Sequence, residues 1–258
     1  MIFPVQPITW RIYNKGGYGI EKDERKALEY YWLGARYGDE HAPYNLGKFY
    51  KKRFKQESSV EVAIFCFYLS AKRGYRDALN QLGYLYEDEK YGVKDLKKAF
   101  AFYKLAAERG SVRGIKNYIL GLEKDKPGEA FRFLYSHMDY EEPSLLFSLG
   151  WYYAKGIGVE KNEAKAFSTY KNAAEMGYAK AMSEIGWWYE SGRYVDQDIK
   201  KAIYWYEKAI ALNDPVVLNN LGRKHAFGLI ENADVLYGIE LLERAAREGN
   251  SRAANNLI

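Results

Sequence analysis

The chain has 258 residues, 48% of them apolar, with 25 Tyr, 12 Phe, 6 Trp and a formal net charge of +5. Acidic and basic residues alternate over short stretches, as in Glu21-Lys22-Asp23-Glu24-Arg25-Lys26, so no basic run points to a nucleic-acid partner. The single cysteine, Cys66, excludes an intrachain disulfide, and no apolar stretch is long enough to span a membrane.

Three columns of residues recur along the chain and organise it. The first is Ala27, Ala63, Ala99, Ala130, Ala166 and Ala202, with Gly238 in the same place, at spacings of 36, 36, 31, 36, 36 and 36. The second follows eleven residues later: Gly38, Gly74, Gly110, Glu141, Gly177, Asn213 and Gly249. The third is Leu46-Gly47, Leu82-Gly83, a degenerate Tyr118-Ile119, Leu149-Gly150, Ile185-Gly186 and Leu221-Gly222. The first and third columns agree on a five-residue shortening in the fourth repeat.

In chain order, the first repeat (about 1–38) places helix A in residues 2–13, where Pro4 and Pro7 make it short or extended, and a loop at Gly16-Gly17-Tyr18-Gly19. The second (39–74) replaces the glycine loop by Lys51–Ser59 and buries Cys66 on an apolar face. The third (75–110) keeps Tyr91-Gly92-Val93 in its loop. The fourth (111–141) is the shortened one, with Pro127 at the start of its second helix, and predicts irregular packing over 112–143. The fifth (142–177) is the most regular. Leu145, Leu149, Tyr152 and Tyr153 share a helical face, Gly150 lets helix B approach, Gly156-Ile157-Gly158-Val159 turns the chain, and Gly177 ends helix B. Repeats at 178–213 and 214–249 follow, and a partial one at 250–258 begins another helix A. The expected fold is all-α: one domain of about seven helix–loop–helix repeats.

The string Leu149-Gly150-Trp151-Tyr152-Tyr153…Gly156-Ile157-Gly158-Val159…Lys165-Ala166…Tyr170…Ala173-Ala174-Glu175-Met176-Gly177 resembles the SEL-one-like repeat family, tetratricopeptide-related α/α solenoids, as does Leu82-Gly83…Tyr86…Gly92-Val93…Lys98-Ala99…Tyr103…Ala106-Ala107…Gly110. The resemblance runs from about residue 13 onward. It implies a right-handed α/α superhelical solenoid that binds another protein in a concave groove lined by its A helices. It also implies an alternative, a bacterial immunity protein that occludes a cognate secreted effector such as a phospholipase-type toxin, in the cytoplasm or, if the chain is a processed form, the periplasm. Disulfide-rich members once suspected of β-lactam binding are a poor match for a chain with Cys66 alone.

The groove positions implied by that architecture fall five and two before each Leu of the Leu-Gly column and two and five after it. They include Tyr44, Lys48, Tyr84, Arg113, Lys116, Phe147, Trp151, Trp187, Glu190 and Arg223. These positions vary between repeats while the structural columns do not. Phe147, Trp151 and Trp187 would form an aromatic patch flanked by Lys and Arg, the composition of a protein-binding hot spot. Two alternatives stand beside this: the tryptophans could pack between repeats, and the cations could simply be solvated.

No catalytic or metal-binding constellation is apparent. His41, His137 and His225 fall in different repeats, no phosphate-cradling Gly-x-x-x-x-Gly-Lys or Gly-x-Ser-x-Gly occurs, and Cys66 has no nearby histidine in sequence. No enzyme activity and no cofactor are expected.

Overall fold

A computed structural model describes Tyr13 and residues 21–139, 141–230 and 233–257. The expected helix over 2–13 and the glycine loop at 16–19 lie outside the described residues, Tyr13 apart. The described residues form α-helices and one short 3₁₀ turn, Glu89–Tyr91, with no strand. The chain divides into two compact units, Met1–Lys124 and Asp125–Ile258. The division falls inside 112–143, the segment where the repeat is shortened.

The first unit contains α1 (Glu24–Arg36), α2 (His41–Lys52), α3 (Ser59–Lys72), α4 (Arg76–Glu87), α5 (Leu96–Glu108) and α6 (Val112–Glu123). Helix A packs on helix B of its own repeat, α2 on α3 and α4 on α5, and helix B packs on the next helix A. Phe67, Leu79, Leu82 and Leu85 fill one core cluster, and Cys66 is buried in another with Tyr31 and Leu46. Burial pushes the Cys66 thiol up to about 12. Guanidinium groups join successive repeats: Arg73 donates to the carbonyl oxygens of Ala35 (2.5 Å) and Asp39 (2.9 Å), and Arg109 to that of Ala71 (3.0 Å).

The second unit contains α7 (Pro127–Ser136), α8 (Pro143–Lys155), α9 (Glu163–Glu175), α10 (Ala179–Ser191), α11 (Ile199–Ala211), α12 (Pro215–Ala226), α13 (Val235–Arg247) and α14 (Ser251–Asn255). The same pairing recurs in α8 with α9, α10 with α11 and α12 with α13.

The columns now have physical causes. The glycine of each Leu-Gly pair receives a side chain from helix B, four residues after the column alanine. A Cβ on Gly47 would lie 2.7 Å from the Phe67 ring, on Gly83 2.4 Å from Tyr103, on Gly150 2.7 Å from Tyr170, and on Gly186 2.6 Å from Tyr206. The second column holds the left-handed residue that stops helix B, with φ of +90° at Gly177 and +50° at Asn213. A fourth column escaped the sequence reading. Asp23, Asp95, Asn162, Asp198 and Asp234, each four before the column alanine or glycine, cap the start of helix B by accepting a backbone N–H three residues on, at 2.8–3.1 Å.

Candidate partner-binding groove

In the first unit the predicted groove residues sit on α2, α4 and α6. Tyr44 is half-buried, edge-on to Phe67 and Tyr75, with the exposed Lys48 ammonium 5.5 Å from its ring centre. Tyr84, Arg113 and Lys116 line a cavity of about 330 Å³ together with Lys51, Asn80 and Asn117. Its polar groups are largely satisfied by one another. Lys51 donates to Gln81 at 2.7 Å, Asn117 donates to Asn80 at 2.9 Å, and the Lys51 ammonium stands 4.7 Å from the Tyr84 ring centre. Burial, with Lys90 and Lys48 nearby, holds the Lys51 ammonium below the usual lysine range.

In the second unit α8, α10 and α12 bring Trp151, Trp187 and Arg223 to one cavity of about 430 Å³. Trp151 is 40% exposed, Trp187 is half-buried and Arg223 is exposed. Lys155 lies 4.8 Å from the Trp151 ring centre, and Arg193 5.6 Å from that of Trp187. Arg193 is held by Glu163 at 2.8 Å and Lys224 by Glu190 at 3.4 Å. Lys155 and Arg223, on the same rim, have no ion-pair partner among the described residues.

Two predicted positions behave differently from the rest. Phe147 does not line this cavity. Its ring packs 5.3 Å from Tyr170 and 5.4 Å from Tyr178, filling the space between helices. The three-membered aromatic patch is therefore two tryptophans. Glu190 is turned inward, where it accepts hydrogen bonds from the Tyr206 hydroxyl at 2.6 Å and from Lys224 at 3.4 Å. The inter-repeat packing considered for the tryptophans falls to Trp188, 2% exposed against Phe167 and Tyr170.

The cavity also holds residues off the predicted stripe: Tyr170, Glu184, Trp188, Arg193 and Lys224. Burial raises the Glu184 carboxyl above the usual carboxylate range, with Lys224 and Lys155 opposing. The signal for this part of the site is a substitution. Twelve residues before the column alanine stand Glu87 and Glu190 in two repeats, but Ala154 in the repeat that opens. Among the described residues no group of three or more His, Cys, Asp or Glu could hold a metal ion, and no helix is long and apolar enough to cross a membrane.

Six segments match the Sel1 repeat: residues 11–38, 41–75, 76–111, 143–178, 179–214 and 215–250. The irregular stretch between the third and fourth matches is the shortened repeat. Among solved structures, the chain is similar to c5321, a protective antigen of uropathogenic Escherichia coli with an SLR fold. That likeness has 24% identity and a TM-score of 0.64 over 96% of this chain and 54% of that one. A Sel1 repeat protein of Oxalobacter formigenes is 22% identical with a TM-score of 0.66, over 85% of this chain and 90% of that one. Immunity protein Pa5087 of Pseudomonas aeruginosa is 19% identical with a TM-score of 0.52, over 73% and 74%. A curated relative from Rattus norvegicus is 34% identical over 74 residues, 29% of this chain, which spans 14% of that relative's length. The solved structures share the fold.

Proposed function

The chain belongs to the Sel1 repeat family, and on that premise we propose that it is a protein-interaction module that seats a partner on its A helices. The cavity between α8, α10 and α12 is the principal contact. The observation that carries this reading is the convergence of Trp151 and Trp187 on one cavity whose rim holds Lys155 and Arg223 without ion-pair partners among the described residues. Large aromatic side chains give contact area at little entropic cost, and cations beside them speed encounter with an acidic surface. In the first unit, Tyr44, Lys48, Tyr84, Arg113 and Lys116 supply a second candidate contact, more polar in its lining.

The partner is another protein. A secreted effector that the chain occludes is the second reading, supported by the fold shared with immunity protein Pa5087. Co-expression separates the two: under the immunity reading this chain rescues cells from an effector encoded beside it, and under the scaffold reading it does not.

The groove itself is tested by Trp151→Ala combined with Trp187→Ala. Hot-spot truncations cost about 2 kcal/mol or more each, so partner affinity should fall about 1,000-fold if the two losses add and at least about 30-fold if they overlap fully, with the far-ultraviolet helical signal unchanged. Unchanged affinity in the folded double variant refutes the groove.

A further inference from the structure

The acceptor that ties the helix-B tyrosine in two other repeats is replaced at Ala154, on the wall of the cavity. In the repeat at 76–111 the Tyr103 hydroxyl donates to Glu87 at 2.7 Å, and in the repeat at 179–214 the Tyr206 hydroxyl donates to Glu190 at 2.6 Å. Tyr170 occupies the same place in the repeat at 143–178 but faces Ala154, and both line the cavity. Tyr170 is 1% exposed, and its hydroxyl makes no hydrogen bond to another described residue. Glu184, half-buried on the same wall, likewise has no hydrogen bond or ion pair with the described residues. A half-open aromatic cavity thus carries two polar groups with no partner among the described residues, one of them a strong acceptor.

Charge narrows what answers them. A partner lysine or arginine would share the cavity with Lys155, Arg193, Arg223 and Lys224, four cations of its own sign. A partner carboxylate would meet Glu184 itself. A neutral aromatic ring meets neither objection: its faces suit the tryptophans and the rim cations, and a donor at its tip suits Glu184.

We propose that the cavity receives a polar-tipped aromatic side chain of the partner, an indole or a phenol, whose N–H or O–H is donated to Glu184 beside the Tyr170 hydroxyl. This rests on the preceding reading that the second unit's groove seats a partner, and it adds the chemistry of the anchor.

The test uses the full chain and small probes in matched pairs, followed by calorimetry or ligand-observed NMR: indole against 1-methylindole, and 4-methylphenol against 4-methylanisole. Methylation removes the donor and adds one methyl group, and the Glu184→Leu variant separates the two effects. One donor probe should bind about tenfold more tightly than its methylated partner, the effect of one hydrogen bond to a charged group. Glu184→Leu should bring that ratio close to one. Tyr170→Phe keeps the ring packed against Gly150 and should lower the ratio part of the way, so it carries the test if Glu184→Leu does not fold. Equal binding of both members of each pair overturns the inference, as does tighter binding of butylguanidinium than of either donor probe. If no probe binds while partner binding still depends on Trp151 and Trp187, the anchor chemistry falls and the groove stands. Donor-selective probe binding supports the inference, even where the groove reading fails because the partner ignores both tryptophans.

Discussion

The repeats at 76–111 and 143–178 carry the same tyrosine in the same place, packed against the same glycine, yet one ties the tyrosine hydroxyl to a carboxylate and the other leaves it beside a cavity. Tyr103 is tied at both ends: its ring fits over Gly83 and its hydroxyl is fixed to Glu87. Tyr170 is tied at one end, its ring over Gly150 and its hydroxyl beside a cavity where Ala154 provides no acceptor. One carboxylate-to-methyl difference therefore separates a tethered tyrosine from one whose hydroxyl is available to a ligand. A repeat array varies its function this way, since each member keeps the contacts that stack it and is free elsewhere.

The sharpest way to break that comparison is to press on the two rings equally. An added Cβ meets the Tyr103 ring at 2.4 Å in Gly83→Ala and the Tyr170 ring at 2.7 Å in Gly150→Ala. Overpacking costs about 1–3 kcal/mol, and the tethered Tyr103 has less room to yield. Gly83→Ala should therefore lose about 2 kcal/mol and Gly150→Ala about 1 kcal/mol less, measured by urea denaturation. Equal losses would mean that the Glu87 tether does not hold the ring.

Removing the tether comes next. Glu87→Ala leaves the Tyr103 hydroxyl without its acceptor and should cost about 1–2 kcal/mol. The converse is Ala154→Glu, which gives Tyr170 the acceptor that Tyr103 has. It should add about 1 kcal/mol of stability, read from the denaturation midpoint, while abolishing binding in the cavity. A stabilised variant that still binds its partner as the parent does would refute the equivalence of the two repeats.

The smallest effect is one of pH. Burial raises the folded-state pKa of Glu184 above its unfolded value, so the folded chain keeps this proton over a range where the unfolded chain has lost it. The stability it contributes is complete below the unfolded carboxyl pKa, about 4.3, and is lost as pH rises through the raised folded value. Glu184→Gln should therefore melt higher than the parent at neutral pH, with the advantage shrinking to nothing below about pH 4. A constant difference in Tm across that range would show that Glu184 titrates as an ordinary surface carboxyl.

What was legible in the sequence was whatever repeats. Alanine, glycine and Leu-Gly columns declare themselves because a close approach or a left-handed backbone tolerates few residue types, and the same need arises in every repeat. The caps at Asp95, Asn162 and Asp198 were equally periodic but stood among solvated charges, where an aspartate draws no notice. The groove was legible as a stripe and less so as side chains. Trp187 and Trp188 are neighbours in sequence, and one helical step puts the second in the core. Glu190 lies on the stripe but bends inward because Tyr206 and Lys224 offer it hydrogen bonds. Phe147 lies on it too and is taken up by Tyr170 and Tyr178. The opening at Ala154 is harder still to read, since it is the loss of a partner for a residue 16 positions away on another helix.

Cys66 gives the first unit an internal clock. Its thiol is 1% exposed and pushed up to about 12 by burial, so at neutral pH the folded chain holds it as the unreactive thiol. Alkylation must then wait for the packing around α3 to open, and its rate measures how often that happens. If the stack breathes one helix pair at a time, the free energy so measured will fall below that of global unfolding. If the unit opens as a whole, the two will coincide.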